Sequence, residues 1–299
     1  MDPAQPDPAE LALREAIFEH LDKLVTRKPS LTRQELTDFE VNGKPAKLID
    51  RNKGIWNPQD LQATLSIMSK PDSQYDDEAI GDSMYAYAYR EGNKNGDNTK
   101  LRRAFELKMP IILLRWIRAG IYVPIFPVYV IQDDPDRQRF MLALDESMRD
   151  VADPDNLTPI ERRYSRKLTK QRLHQPEFRA RVLLAYGNRC TMCRISYAQL
   201  LDAAHIIADS ADHGAAEVAN GLCLCKIHHA AYDANLLGIS PDHQIHLSPK
   251  LQEDQGDAPM LRHGLQGLRG EYLALPSSRK DRPSQERIIE RFEEFQAAS

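Results

Sequence analysis

Apolar positions Leu11, Ile17, Leu21 and Leu24 recur with a helical period behind an acidic start, and they predict a helix over 8–26. Strand-like runs flank Asn42-Gly43, a dipeptide that favours a tight hairpin turn. The segment 61–68 reads as a short strand or helix. Large and small residues alternate over 84–90 (MYAYAYR), which predicts a strand, and 98–107 reads as a helix. Two β-rich runs follow at 111–116 and 122–132, and the prolines of the second suggest a sheet edge or a bulge. The first 150 residues thus form a mixed, mostly β pattern with flanking helices. Residues 150–160 hold two prolines and three acids and read as a linker before a basic helix. Near the other end, Ile288, Ile289, Phe292 and Phe295 form one apolar stripe over 284–297, as a helix packed on a core would. No internal repeat interrupts this order.

The 299 residues exceed one ordinary domain and fit two. A hydrophobic share of 41% against 28% charged is enough for real cores and excludes a wholly disordered chain. No run of 18 apolar residues occurs, and the acidic start lacks a basic-then-apolar leader, so neither a membrane span nor a secretion signal is expected. A cytoplasmic protein is the expectation. The net charge of −4 hides an asymmetry: residues 1–158 hold 21 Lys+Arg against 27 Asp+Glu, and 159–299 hold 19 against 17. Within 162–194 lie ten basic residues and a single acid, Glu177. Such a block is either a solvated helix face or a DNA-backbone contact made by Arg162, Arg163, Arg166, Lys167, Lys170 and Arg179.

All four cysteines fall late in the chain, at Cys190, Cys193, Cys223 and Cys225, which suits a metal rather than a disulfide scaffold. Cys190-Thr-Met-Cys193 and Cys225-Lys-Ile-His228 are two pairs with two intervening residues each, separated by 31 residues. That spacing lets four side chains converge on one tetrahedral zinc. Cys223 is the substitute ligand, although a place two residues before Cys225 on a strand suits packing better.

Between these pairs, Asp202-Ala-Ala-His205 lies on an apolar strand, a polar loop follows, and Asn220-Gly221 opens a second strand. A helix over 226–234 then carries His229. His, Asn and His in this order, in NGLCLCKIHHAAYD and its upstream strand, resemble the HNH (ββα-metal) nucleases, especially members with a bracketing Cys/His zinc site. The resemblance covers about 175–240. It implies hydrolysis of a phosphodiester, with His205 activating water, Mg²⁺ or Mn²⁺ at His229, and Asn220 orienting the loop beside His205. Many relatives carry a metal ligand directly before the base, where this chain has Ala204. Asp202 and Asp233 are the alternative oxygen ligands, and the division of His228 to zinc and His229 to the catalytic metal rests on register. His243 and His246 fall in a later hairpin pattern and suit packing or surface roles.

In the first half, residues 74–89 (QYDDEAIGDSMYAYAY) hold either cross-strand aromatics or a base-stacking pocket. An aromatic followed by acids, a strand aromatic about a dozen residues on, an Asn-x-x-Leu helix and a Tyr-containing strand are similar to an SRA domain over roughly 60–145. That resemblance implies a flipped 5-methylcytosine between Tyr75 and Tyr87, with Asp76 or Asp77 on its edge. The expected fold is therefore α+β: a mostly-β SRA-like domain with flanking helices, joined to a zinc-bracketed ββα-metal HNH domain. Expected boundaries are 1–150, a linker and basic helix at 151–175, and 176–299. The combination resembles modification-dependent restriction endonucleases that act on double-stranded DNA with a modified cytosine; one HNH site per chain cutting two strands suggests a homodimer, with sequential nicking as the alternative. Two alternatives stay open: a reader of phosphorothioate or hydroxymethyl marks, and a non-catalytic zinc-stabilised DNA-binding protein.

Overall fold

A computed structural model describes residues 5–51, 53–70, 79–80, 84–90, 96–211 and 213–298. The chain divides into two compact units, Met1–Glu177 and Phe178–Ser299.

The first unit opens with the helix Pro8–Arg27, started by Pro8 and by the Asp7 carboxylate, which accepts from the Ala9 amide at 2.9 Å. Its inner face buries Ile17 and Leu21 against Leu31, Leu36, Ile112 and Leu114. Buried Arg14 pairs with Glu10 at 2.6 Å and donates to the carbonyls of Pro110 and Ala63, so a charge in the core leaves few bonds unmade. At the hairpin Glu40–Val41/Lys44–Pro45, Asn42 and Gly43 both have positive φ, as the expected turn requires.

The main sheet runs Ile55–Trp56, Ser66–Ser69, Ile111–Arg118, Ile121–Asp134, Arg139–Ala143, Met84–Ala88 and Ala79–Ile80, with Leu31–Thr32 beside the long strand. The pair Ser66–Ser69 and Ile111–Arg118 is parallel and the other pairs are antiparallel. Pro124 and Pro127 lie inside the 14-residue strand Ile121–Asp134. On one side that strand meets Leu31–Thr32 only at 121–122 and Arg139–Ala143 only from Tyr129 onward. The prolines occupy the gap, where a missing N–H breaks no ladder on that side.

The stretch 150–160, read as a linker, packs on the first unit. Buried Leu157, with Val151 and Leu168 against the same cluster, covers Met84, Ala86, Tyr129 and Met141. Within the stretch itself, Val151 and Leu157 reach the core in spite of the turn-forming residues around them. Thr158 and Glu161 then form a reciprocal cap that starts the basic helix Pro159–Thr169. The helix continues through a π-turn, Lys170–His174, into Gln175–Ala185.

The second unit is built on an antiparallel hairpin, Leu201–His205 with Gly221–Cys225, followed directly by the helix Lys226–Asp233. A second hairpin, Leu237–Ile239 with Ile245–Leu247, and the closing helix Gln285–Ala298 complete it. Phe178, Val182, Leu201, Ala204, Leu222, Leu224, Ala231, Tyr232 and Ile288 share one core. Of the apolar stripe on the closing helix, Ile288 and Phe295 are buried, whereas Ile289 is exposed. Among the described residues, no helix is long and apolar enough to cross a membrane.

Candidate functional site

The ligand atoms of Cys190, Cys193, Cys225 and His228 all lie within 4.8 Å of one another. Local turns create this convergence. Arg194 adopts a positive φ and its amide donates to the Cys190 carbonyl at 3.1 Å, which folds the first pair into a knuckle. Cys225 sits at the strand end that caps the helix, and His228 follows one turn later. His228 Nδ1 is 3.4 Å from the Cys190 sulfur and 3.3 Å from the Cys225 sulfur, while its Nε2 faces the Gly264 carbonyl at 2.7 Å. An Nε2–H bond to that carbonyl leaves Nδ1 free to ligate, the usual support for a metal-binding imidazole. Three soft sulfurs and one imidazole in this space fit tetrahedral zinc. Cys223 is fully buried in the apolar core, and burial pushes its thiol up to about 12, the state of a packing residue.

The hairpin and helix present the second set. His205 ends its strand with the ring stacked on Phe178, centroids 4.2 Å apart and planes 20° apart. Gly221, paired with His205, has no Cβ for a physical reason: one there would come within 2.5 Å of Val182 and 3.0 Å of Phe178. Asn220 is fully buried. Its side chain accepts from the Ile207 amide at 2.9 Å and donates to the carbonyls of Ile207 (3.0 Å) and Ala215 (3.1 Å). It therefore ties both ends of the loop that starts just after His205.

His229, half-buried, has a carboxylate on each edge. Asp202 lies 3.8 Å from Nδ1 and Asp233 lies 3.4 Å from Nε2. His205, His229 and Asp233 line one cleft of about 500 Å³ together with Asp209, Asn235, Glu290, Arg291 and Glu294, and Asp202 is not among its lining residues. Ala204, the residue before His205, is fully buried and faces the core.

The remaining expected contacts are dispersed. Arg162, Arg163, Arg166 and Lys167 are exposed on their helix, and Lys170 is half-buried. Arg179 donates to the Ala198 and Leu201 carbonyls at 2.9 and 2.7 Å and lies 3.7 Å from Asp202, so it fastens the strand Leu201–His205. Tyr75, Asp76 and Asp77 lie outside the described residues. Tyr87 is fully buried in its strand, its hydroxyl donating to the Gly54 carbonyl at 3.2 Å, with the Arg90 guanidinium 4.3 Å above the ring. His246 packs against the Phe292 ring, and burial holds the His243 imidazole below its ordinary value. Sequence reasoning missed Phe178 and Arg291. An aromatic spaced four residues from Val182 was the one available signal for the first, and nothing local marked the second.

The HNH endonuclease family model (HNH_2) matches residues 190–240. The chain carries an HNH endonuclease domain there. That span contains both metal-ligand pairs and all three residues of the His-Asn-His set. A solved structure described as a modification dependent TagI restriction endonuclease is similar to the chain at 15% identity and a TM-score of 0.29, covering 77% of this chain and 81% of that one. No curated protein matches the chain.

Proposed function

We propose that the chain is a metal-dependent DNA endonuclease acting on duplexes that carry a modified cytosine. The observation that carries the nuclease reading is the cleft shared by His205 and His229, with Asn220 fixing the loop between them. A phosphodiester in that cleft meets an imidazole able to take a proton from water near neutral pH. His205 is held flat against Phe178, so the plane of its ring has a fixed orientation. A divalent ion, Mg²⁺ or Mn²⁺, supplies charge neutralisation on the phosphate when bound. Two protein donors that line the cleft, His229 Nε2 and Asp233, lie 3.4 Å from one another, and such a pair suits an ion that keeps several waters. Asp202, on the opposite ring edge and steadied by Arg179, then orients His229 rather than sharing its ion. Asp233→Asn should weaken Mn²⁺ binding in calorimetry roughly tenfold or more. A larger loss in Asp202→Asn would reverse the two roles.

The modified-base reading rests on the likeness of 60–145 to SRA domains. One nuclease site per chain cutting two strands makes a homodimer part of the proposal. Tyr87 is a poor place to test it, because emptying so buried an aromatic position costs about 3–5 kcal/mol of stability. Tyr75 is better. Stacking on an aromatic is worth about 1–3 kcal/mol per base. Tyr75→Ala should therefore weaken binding to a 5-methylcytosine duplex about ten- to a hundredfold, since each 1.4 kcal/mol is about tenfold. Binding to unmodified duplex and the melting temperature should hold. Cleavage of unmodified, 5-methyl, hydroxymethyl and phosphorothioate duplexes side by side, with Mg²⁺ or Mn²⁺, tests the whole reading. Equal cutting of all four removes the modified-base part, and cutting of none removes the enzyme.

A further inference from the structure

One wall of the cleft comes from far outside the matched HNH segment, from the closing helix Gln285–Ala298. Its residues hold two parts of the site at once. The Ser284 amide donates to the Ala219 carbonyl at 2.8 Å. Arg287 pairs with Glu217 at 2.5 Å and donates to the His213 carbonyl at 3.5 Å. Both carboxylate oxygens of Glu290 are 3.0 Å from His213 Nε2. One helical step on, Arg291 donates to the Tyr232 carbonyl at 2.7 Å and to Asn235 Oδ1 at 2.6 Å, with its guanidinium over the Tyr232 ring. Positions 287, 290 and 291 share one helix face, as their spacing dictates.

These contacts answer two local weaknesses. The loop 209–219 is rich in Ala, Asp and Gly and brings few side chains to a core, so Asn220 ties its ends while Arg287 and Glu290 hold its middle. The helix Lys226–Asp233 is short, and its last carbonyls lack partners within the helix. The Tyr232 carbonyl already accepts from the Asn235 amide at 3.1 Å, and the Arg291 guanidinium adds a second donor there and opposes the negative end of the helix dipole. Behind this face, Phe295 packs so closely on Gly238 that a Cβ there would come within 2.3 Å of the ring. The helix is thus pressed onto the unit rather than laid loosely across it.

We propose that the helix Gln285–Ala298 is part of the nuclease machinery, with Arg287, Glu290 and Arg291 as positioning residues that keep His205 and His229 facing one cleft. This rests on the nuclease reading above. Small displacements of reacting groups reduce turnover by up to about a hundredfold. In the full-length, zinc-loaded protein, Arg291→Ala and Arg287→Ala should each lower kcat on a cleavable duplex by roughly ten- to a hundredfold with KM little changed. Arg291→Lys should recover part of the loss by restoring one donor, and it serves in place of Arg291→Ala if that variant folds poorly. Glu293→Gln, on the exposed side of the same helix, should match the wild type. Hydrogen exchange gives a readout free of catalysis: the Ile206 and Ile207 amides, both bonded to Asn220, should exchange faster in Arg287→Ala at unchanged zinc content. Wild-type kcat in both alanine variants overturns the proposal, as does a rise in KM alone, which would make the helix a DNA contact. If the wild-type chain cuts no duplex, the nuclease reading falls. Unaltered exchange then overturns the clamp as well.

Discussion

His205→Ala should abolish DNA cleavage while leaving zinc content and DNA binding at wild-type levels. A positioned general base contributes about 10²–10⁴ in rate, and on the proposed mechanism neither of the motif's other two imidazoles, His228 and His229, replaces it. His229 lies between two carboxylates, and His228 belongs to the Cys/His cluster. The substitution also removes little structure. His205 is half-buried at a strand end, and the backbone bonds of its neighbours Ile206 and Ile207 run to Asn220 rather than to its ring. The main packing loss is the stack on Phe178. Plasmid cleavage, zinc analysis and a gel-shift titration on the same preparation check the three parts. Cleavage at near the wild-type rate would remove His205 from the mechanism, and loss of zinc or binding would mean that its role is structural.

The parts of the site written in short local patterns were legible before the fold was known. Two residues between paired ligands is a turn-scale constraint, and it places Cys190, Cys193, Cys225 and His228 together. The hairpin and helix carrying His205, Asn220 and His229 follow one another directly, so alternation, a turn-rich loop and a helical period sufficed to read them. What depends on distant chain was not legible. Arg179 sits in a basic run, but whether a guanidinium meets phosphate or the Ala198 and Leu201 carbonyls is decided by chain 19 and 22 residues away. Alternation over Met84–Ala88 correctly predicts a strand, yet it does not say which faces are covered, and four of the five residues are buried. Both faces are covered, by elements that the strand's own sequence does not mention. The same limit hid the packed segment around Leu157 and the cleft wall made by Arg291. A stripe of Ile and Phe announces that a helix packs somewhere without saying on what.

One zinc per chain is expected, and its removal should unfold the second unit while sparing the first. Ligand binding by the folded form alone stabilises it, and structural zinc sites reach apparent free energies of about 10–16 kcal/mol. A typical domain has only about 5–15 kcal/mol of net stability, so the second unit is not expected to survive the loss. The geometry explains why the effect should spread. The knuckle at 190–194 is joined to the rest through Thr191, whose amide donates to the Cys223 carbonyl at 2.7 Å and whose hydroxyl donates to the Ala274 carbonyl at 3.0 Å. The other pair links the strand Gly221–Cys225 to the helix that carries His229. Without the ion, clustered thiols and an imidazole no longer tie these pieces together. Cys193 is the exposed corner of the cluster, so Cys193→Ser removes a ligand with little change in packing. It should lose the zinc and lower the melting temperature of the second unit. Both tryptophans, Trp56 and Trp116, lie in the first unit, so their emission should hardly shift when a chelator strips the metal. Cys223→Ser should lose stability through its buried hydroxyl but keep the zinc. Retention in Cys193→Ser with loss in Cys223→Ser would reassign the fourth ligand, and a well-folded protein without zinc would remove the metal centre from the account.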